Sequence, residues 1–322
     1  MSNAHTKPLK VCIVVPCYNE EGVLDHTTDV LLAELDSLAT SGHATPDSFI
    51  CLVDDGSRDA TWSEIEGLAR GKGRIRGIKL SANFGHQNAL IAGLFSMRTQ
   101  ADVLISIDAD LQDDVSVISR MVHEHHNGKR VVYGVRLDRT VDTFGKRMAA
   151  AAYYRLIKAM NKRAVRGHAD FRSADARVVA DLERFGEVNL YLRGIFPLIG
   201  YPSAQITYVR KERHAGESKY GYRKLLSLAW QGITSFTTTP LKMVFYLGII
   251  MFLFSCAIAM WVIWAIITER TVQGWASTLL FILMFSSLNM ISLGIIGEYV
   301  GKIYKEVKAR PRFIIETTTH GE

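Results

Sequence analysis

The sequence lacks paired cysteines. Cys12, Cys17, Cys51 and Cys256 form no CxxC and have no histidine at zinc spacing, which excludes the common structural-zinc patterns and points to a reducing compartment. No basic stretch followed by an apolar core opens the chain, so nothing there marks the first domain for secretion. Internal repeats and low-complexity stretches are missing too. The formal charge of +6 and pI near 9.1 would suit a nucleic-acid partner. Basic residues interleaved with exposed aromatics are not found, however, which excludes nucleic acid; from Arg210 onward the basic residues flank apolar runs instead. Anionic lipid or phosphate is the partner that this pattern implies.

What is present divides in two. The 322 residues suffice for a large buried core with a cleft, and a mean hydropathy of +0.09 averages over two unlike parts. Strand patterns at Val11–Val15, Phe49–Val53, Arg76–Leu80, Val103–Ile107 and Arg130–Gly134 alternate with helical stretches, the first from Glu20. That alternation predicts a mostly parallel sheet covered on both faces, with ligands beyond the C-terminal ends of its strands. From about Lys146 the pattern changes to amphipathic helices, including Arg147–Met160 and Arg223–Ser235, which read as interfacial or as ordinary core helices.

Two apolar runs follow, Met243–Ile267 and Trp275–Gly297, each long enough for the roughly 20 residues that cross a bilayer. Arg223, Lys224 and Lys242 precede the pair and Lys302, Lys305, Lys308, Arg310 and Arg312 follow it, against a lone Arg270 in the link. This bias predicts a hairpin in the inner membrane with both termini and the first domain in the cytoplasm. The expected divisions are 1–145 as a nucleotide-sugar-binding core, 146–240 as its acceptor side, 241–300 as the transmembrane hairpin and 301–322 as a basic cytoplasmic tail.

Acidic motifs fall at the strand ends. Asp108-Ala109-Asp110 follows an apolar strand, where alternation sends both carboxylates to one side and lets them share a divalent cation, although an isolated Asp-x-Asp is also a surface turn. Asp54-Asp55-Gly56-Ser57 reads as a turn with a helix cap or as a carboxylate pair for a nucleoside. Asn83-Phe84-Gly85-His86-Gln87 opens a helix, either as a plain cap at Asn83 or reaching toward the nucleotide or the Asp108 loop. His123, His125 and His126 read as a solvated helix face, not a metal pair. Glu298 serves a lipid phosphate or caps a bundle, and the residues do not separate these.

Val15-Pro16-Cys17-Tyr18-Asn19-Glu20-Glu21, Val53 to Ser57, Asn83-Phe84-Gly85 and Asp108 to Asp113 together resemble the family 2 glycosyltransferases. The resemblance is to the bactoprenol glucosyltransferase and dolichol-phosphate mannose synthase branch. It implies a nucleotide-diphospho-sugar transferase domain of GT-A type and inverting transfer of a sugar, glucose from UDP favoured, to polyprenyl phosphate. It implies further that Pro16, Tyr18, Asn19, Glu20, Asp54, Asp55, Asn83, Asp108 and Ala109 bind the nucleotide sugar, and that Asp108, Asp110 and Gln112 hold Mg2+ or Mn2+. Asp170 of Asp170-Phe171-Arg172 is implied as a catalytic residue, a base or a holder of a sugar hydroxyl; a salt bridge to a nearby arginine is its structural alternative.

Arg213 and Lys219, with Arg136 and Arg139 as weaker candidates, are expected at the acceptor phosphate, where attraction to lipid headgroups is the competing explanation. Implied partners are membrane lipid, a flippase, a downstream transferase and further copies of the chain. Two other functions share the early motifs. A processive polysaccharide synthase would carry a Gln-x-x-Arg-Trp segment after Asp170, which is missing. A non-catalytic scaffold that presents nucleotide sugar to a flippase would not need the complete acidic set.

Overall fold

Strands β1 (Val11–Cys17) and β2 (Phe49–Asp54) are buried along their whole length, as unbroken Val, Ile, Leu and Cys runs must be when helices cover both faces. The computed structural model describes residues 7–136, 168–187, 192–209, 238–268 and 274–320. The helices of the first half are α1 (Leu24–Thr40), α2 (Thr61–Gly71), α3 (His86–Met97) and α4 (Val117–His126), interleaved with β3 (Ile75–Leu80), β4 (Val103–Ser106) and β5 (Val131–Arg136). Then come β6 (His168–Asp175), α5 (Ala176–Glu183), α6 (Leu192–Ile199), β7 (Ser203–Tyr208), α7 (Thr239–Ile267), α8 (Trp275–Val307) and β8 (Ile315–Thr318).

The sheet has eight strands in the order β7-β5-β6-β4-β1-β2-β3-β8. Neighbours β4, β1, β2 and β3 pair in parallel, as do β5 and β7; β6 runs antiparallel between β4 and β5, and β8 antiparallel at the edge beside β3. The five strands expected from alternation are all present, within two residues at either end. The last three, β6, β7 and β8, were not expected; β7 is half exposed and β8 has only four residues, so neither carries an apolar run.

Two units divide the chain, Met1–Lys219 with Pro311–Glu322, and Tyr220–Arg310. Of the basic tail expected at 301–322, Pro311–Glu322 belongs to the sheet unit, while the residues up to Val307 continue α8. Ile314 accepts a hydrogen bond from the Ser81 N–H at 3.0 Å, Thr319 Oγ1 accepts from the Gly77 N–H at 2.7 Å, and Lys79 pairs with Glu316 at 3.2 Å. A backbone edge needs partners whatever the local charge, and the β3 edge finds them here.

In the second unit, α7 is apolar on every side; Met243, Phe252 and Met260 are each about two-thirds exposed, and the segment Thr239–Ile258 has a mean hydropathy of 2.2. Among the described residues it is the one helix long and apolar enough to cross a membrane. The second apolar run is also helical, within the 33 residues of α8. The expected interfacial helices at Arg147–Met160 and Arg223–Ser235 lie outside the described residues, as do Arg139, Arg213 and Lys219.

Candidate active site

Parallel strands send their C-terminal ends to one edge, and the register Cys17↔Asp54 and Val14↔Ser106 brings the residues after β1, β2 and β4 together there. Strand β6 runs the other way, so its beginning reaches the same edge; with Ser106 opposite Arg172, Asp170 arrives beside the Asp108 loop. The Ser106 hydroxyl donates to the Asp170 carbonyl and ties the two segments.

Asp54 is fully buried. Its Oδ1 accepts from the Ser57 N–H at 3.1 Å, closing the turn, while Oδ2 has no hydrogen-bond partner among the described residues. A buried carboxylate oxygen without a donor is costly, which makes it a candidate acceptor for a ligand N–H or O–H. Asp55 differs. Each of its oxygens accepts a backbone amide, from Phe84 at 2.7 Å and from Gly85 at 2.9 Å, so it fixes the loop before α3. Burial pushes its carboxyl above the usual range, against those amides. The cap at α3 is Gly85, with φ of 92°, and not Asn83.

Asn19 is also committed to the fold. In the left-handed region at φ 54°, it donates its N–H to Ser57 Oγ at 3.0 Å and accepts the Arg58 N–H at 3.0 Å. Pro16, Tyr18, Glu20 and Asn83 line a cavity of 200 Å³ with Cys17, Asp55, Gly85 and His86. The Cys17 thiol there is pushed well up by burial and is inert at neutral pH.

The Asp108 loop is held from three sides. Ala109, buried, accepts the Thr27 hydroxyl of α1 at 2.9 Å; Asp110 Oδ1 accepts the Gln112 N–H at 3.2 Å; and Leu111 takes φ of 47° to complete the turn. Asp110 is exposed, Asp108 is one-third exposed, and Gln112 is buried. Burial raises the Asp108 carboxyl; His86 opposes this, and Asp113, Asp170 and Asp110 add to it. Glu20 is raised by burial and then by Asp110, Asp59 and Asp108.

These carboxylates gather hard oxygen donors, a chemistry that fits Mg2+ or Mn2+. Among the described residues no three His, Cys, Asp or Glu side chains converge as a ready-made metal cluster. Asp108 and Asp110 would offer such an ion one or two carboxylates.

Arg136, expected at an acceptor phosphate, is engaged within the protein. It forks onto buried Asp113 through Nε and Nη2, both at 3.2 Å, and the Tyr208 hydroxyl donates to the same carboxylate at 2.7 Å. Its Nη2 lies 3.9 Å from Asp108 Oδ2, so it buttresses the acidic loop.

Asp170 meets Arg172 Nη2 at 2.6 Å, and Arg193 of α6 grips both of its oxygens at 3.3 and 2.8 Å. Burial acts to raise its carboxyl, but the two guanidiniums outweigh that and hold it well below the usual carboxylate range. The salt bridge weighed as its structural alternative is present, and twofold. His86 Nε2 completes the group, 3.5 Å from Asp108 Oδ1 and 3.9 Å from Asp170 Oδ2.

The reach of the Asn83-to-Gln87 segment to the Asp108 loop, one of its readings from sequence, is made by His86, while the approach of His86 to Asp170, and Arg193 and Tyr208 altogether, were missed. Arg193 and Tyr208 lie in no motif, and only the three-dimensional course of α6 and β7 brings them to the edge. His86 carried a signal, since it follows a glycine turn at a strand end.

The histidines of α4 depart from expectation. His125 is largely buried, bonds Ser173 Oγ at 2.8 Å, and has its pKa lowered to about 4, chiefly by burial; His126 bonds the His43 carbonyl at 3.0 Å. Only His123 lies on the solvated face.

Comparison with known proteins agrees with this geometry. Residues 12–180 match the glycosyl transferase family 2. The chain is 43% identical to an uncharacterized glycosyltransferase, YkoT, of Bacillus subtilis over 310 residues, covering 96% of this chain and 92% of that one. It is 35% identical to the bactoprenol glucosyl transferase of Shigella phage SfX over 313 residues, covering 96% and 99%. A prophage bactoprenol glucosyl transferase homolog of Escherichia coli K12 is 35% identical over 312 residues, covering 96% and 99%. With its acidic sheet edge and these relatives along nearly its whole length, the chain belongs to glycosyl transferase family 2.

Proposed function

We propose that this transferase moves glucose from UDP-glucose, with inversion, to polyprenyl phosphate at the cytoplasmic face of the inner membrane. The observation that carries the reading is the meeting of Asp54, Asp108, Asp110 and Asp170 at one sheet edge, with an orphaned oxygen on Asp54 and two arginines on Asp170. Full-length similarity to relatives named bactoprenol glucosyl transferase supports the lipid acceptor and the sugar. The bare apolar surface of α7 supports attachment to a membrane, and the basic residues on either side of the two apolar helices support a hairpin with cytoplasmic ends.

The roles follow from the donors and acceptors available. Asp54, with the cavity lined by Pro16, Tyr18, Glu20 and Asn83, receives the nucleoside, while Asp55 and Asn19 hold the loops that shape it. Asp108 and Asp110, with Gln112 beside them, hold Mg2+ or Mn2+; when bound, the ion neutralises charge that develops on the leaving nucleotide diphosphate. Asp170 stays ionised and accepts a hydrogen bond from a sugar hydroxyl. The acceptor needs no strong base, since a phosphate monoester already carries about −1.5 to −2 charges at neutral pH and requires orientation more than deprotonation. Arg213 and Lys219 are the proposed acceptor-phosphate contacts, and Arg136 acts through Asp113 and Asp108.

The test is a donor screen: purified full-length protein with undecaprenyl phosphate and UDP-glucose, UDP-galactose, UDP-N-acetylglucosamine or GDP-mannose, with the product identified by mass. A glucosyl monophosphate lipid supports the proposal. A polymer, or transfer only from GDP-mannose, would overturn it.

A further inference from the structure

The roles above leave His86 without a task. Its imidazole is about half exposed, lines the cavity beside Asp55 and Asn83, and neither donates nor accepts a hydrogen bond among the described residues. Its position is nevertheless strongly built. Asp55 grips the two preceding amides, those of Phe84 and Gly85, Asn88 Nδ2 donates to the Phe84 carbonyl at 2.8 Å, and the other end of the loop is tied where the Ser81 N–H donates to Ile314. A loop anchored at both ends that delivers a side chain near two carboxylates, with no hydrogen bond among the described residues, is arranged for a partner from outside.

The distances indicate what that partner is. His86 Nε2 is 3.9 Å from Asp170 Oδ2 and 3.5 Å from Asp108 Oδ1. The gap to Asp170 is too long for a direct hydrogen bond, yet one oxygen placed about 2.8 Å from each atom would span it. That oxygen must donate to Asp170, which is ionised and only accepts, and must accept from a ring N–H. A hydroxyl meets both demands, with one proton to give and two lone pairs. A phosphate oxygen does not, because it has no proton for Asp170 and would meet its negative charge at close range.

We propose that His86 is a substrate-contacting residue that determines donor specificity by clasping, together with Asp170, one hydroxyl of the transferred sugar. The inference rests on the reading that the chain uses a nucleotide diphosphate sugar and deepens it by naming the residue that reads the sugar. His86 lines the cavity assigned to the nucleoside, but its Nε2 stands against Asp108 and Asp170, where the sugar and diphosphate lie in the proposed reading, so the contact inferred is with the sugar. A site built to hydrogen-bond a hydroxyl discriminates strongly against analogues that misplace it, since its own groups are then left unpaired.

The experiment compares wild type, His86→Ala and His86→Gln as full-length protein, with three measurements: UDP affinity by calorimetry in the presence of Mg2+, kcat/KM for the preferred donor, and the ratio of kcat/KM between that donor and its epimer. The expected result for His86→Ala is a loss of about tenfold or more in kcat/KM, a collapse of the epimer ratio by a similar factor, and unchanged UDP affinity. His86→Gln, which can still donate, should recover part of both. A parallel loss of UDP affinity would place the imidazole at the diphosphate and overturn the proposal, as would an epimer ratio equal to wild type. If wild type transfers sugar from no nucleotide donor, the underlying reading fails instead, and the two failures are distinct.

Discussion

Arg193 holds Asp170 by both carboxylate oxygens, Nε to Oδ1 at 3.3 Å and Nη2 to Oδ2 at 2.8 Å, while Arg172 takes Oδ1 at 2.6 Å. A carboxylate so gripped is a poor proton acceptor and a rigid hydrogen-bond acceptor. Arg193→Gln removes one fork but leaves Arg172, so Asp170 remains ionised through neutral pH. The variant should lose about tenfold or more in kcat through misplacement, with no new acid limb between pH 6 and 8. If Asp170 worked as a base limited by its low pKa, the variant would gain activity or move the limb upward. A pH–rate profile of both proteins separates the outcomes.

Asp113 is 2% exposed and takes hydrogen bonds from Arg136 and Tyr208. Asp113→Ala strands a half-buried guanidinium and should cost about 3–5 kcal/mol, as breaking a buried pair by removing one partner does. Denaturant unfolding measures it. Activity should fall as well, because Arg136 is then free to move onto Asp108, 3.9 Å away.

Gly56 has φ of 67°, and a Cβ there would come within 2.5 Å of the Ala82 carbonyl carbon. Backbone cannot yield as a side-chain tip does, so Gly56→Ala forces apart the Asp54 turn and the loop leading to His86. Strain at such a position costs on the order of 1–3 kcal/mol. The expected outcome is a lower Tm together with a raised KM for the donor; a raised KM without a stability loss would show that strain is not the cause.

His125 has a folded-state pKa of about 4 against an ordinary 6.5, because burial beside Ser173 disfavours its charged form. Below pH 6.5 the unfolded chain takes up the proton first, so the contribution is whole above 6.5 and is lost as pH falls toward 4, amounting to about 3 kcal/mol at most. His125→Gln should flatten that part of the stability–pH curve relative to wild type. Parallel curves for the two proteins would contradict the burial.

The five parallel-running strands of the first half were legible because burial on both faces demands unbroken apolar runs, and the acidic motifs were legible because each ends such a run. What escaped reading depends on pairing at a distance. Strand β6 has a polar composition, His168-Ala-Asp-Phe-Arg-Ser-Ala-Asp, yet it lies between β4 and β5 with Arg172 buried over the Phe196 ring, 4.8 Å from its centroid. Strand β8 is defined by hydrogen bonds to β3 more than 230 residues away in sequence, which no local pattern records. Asp55 and Asn19 were legible as site residues, but that their oxygens hold the backbone amides of Phe84, Gly85 and Arg58 depends on the course of separate loops, which side-chain chemistry alone does not give.

The central claim is that Asp108 and Asp110 hold the divalent cation that supports departure of the nucleotide diphosphate. Its most direct test is release of UDP from UDP-glucose with undecaprenyl phosphate, measured with Mg2+ or Mn2+ and with chelator, in wild type and Asp110→Ala. Metal-dependent release in wild type that chelator abolishes, and a loss of about 10²-fold or more in a variant that remains folded, is the predicted result. Full activity in Asp110→Ala, or release by wild type that is indifferent to chelator, would contradict it.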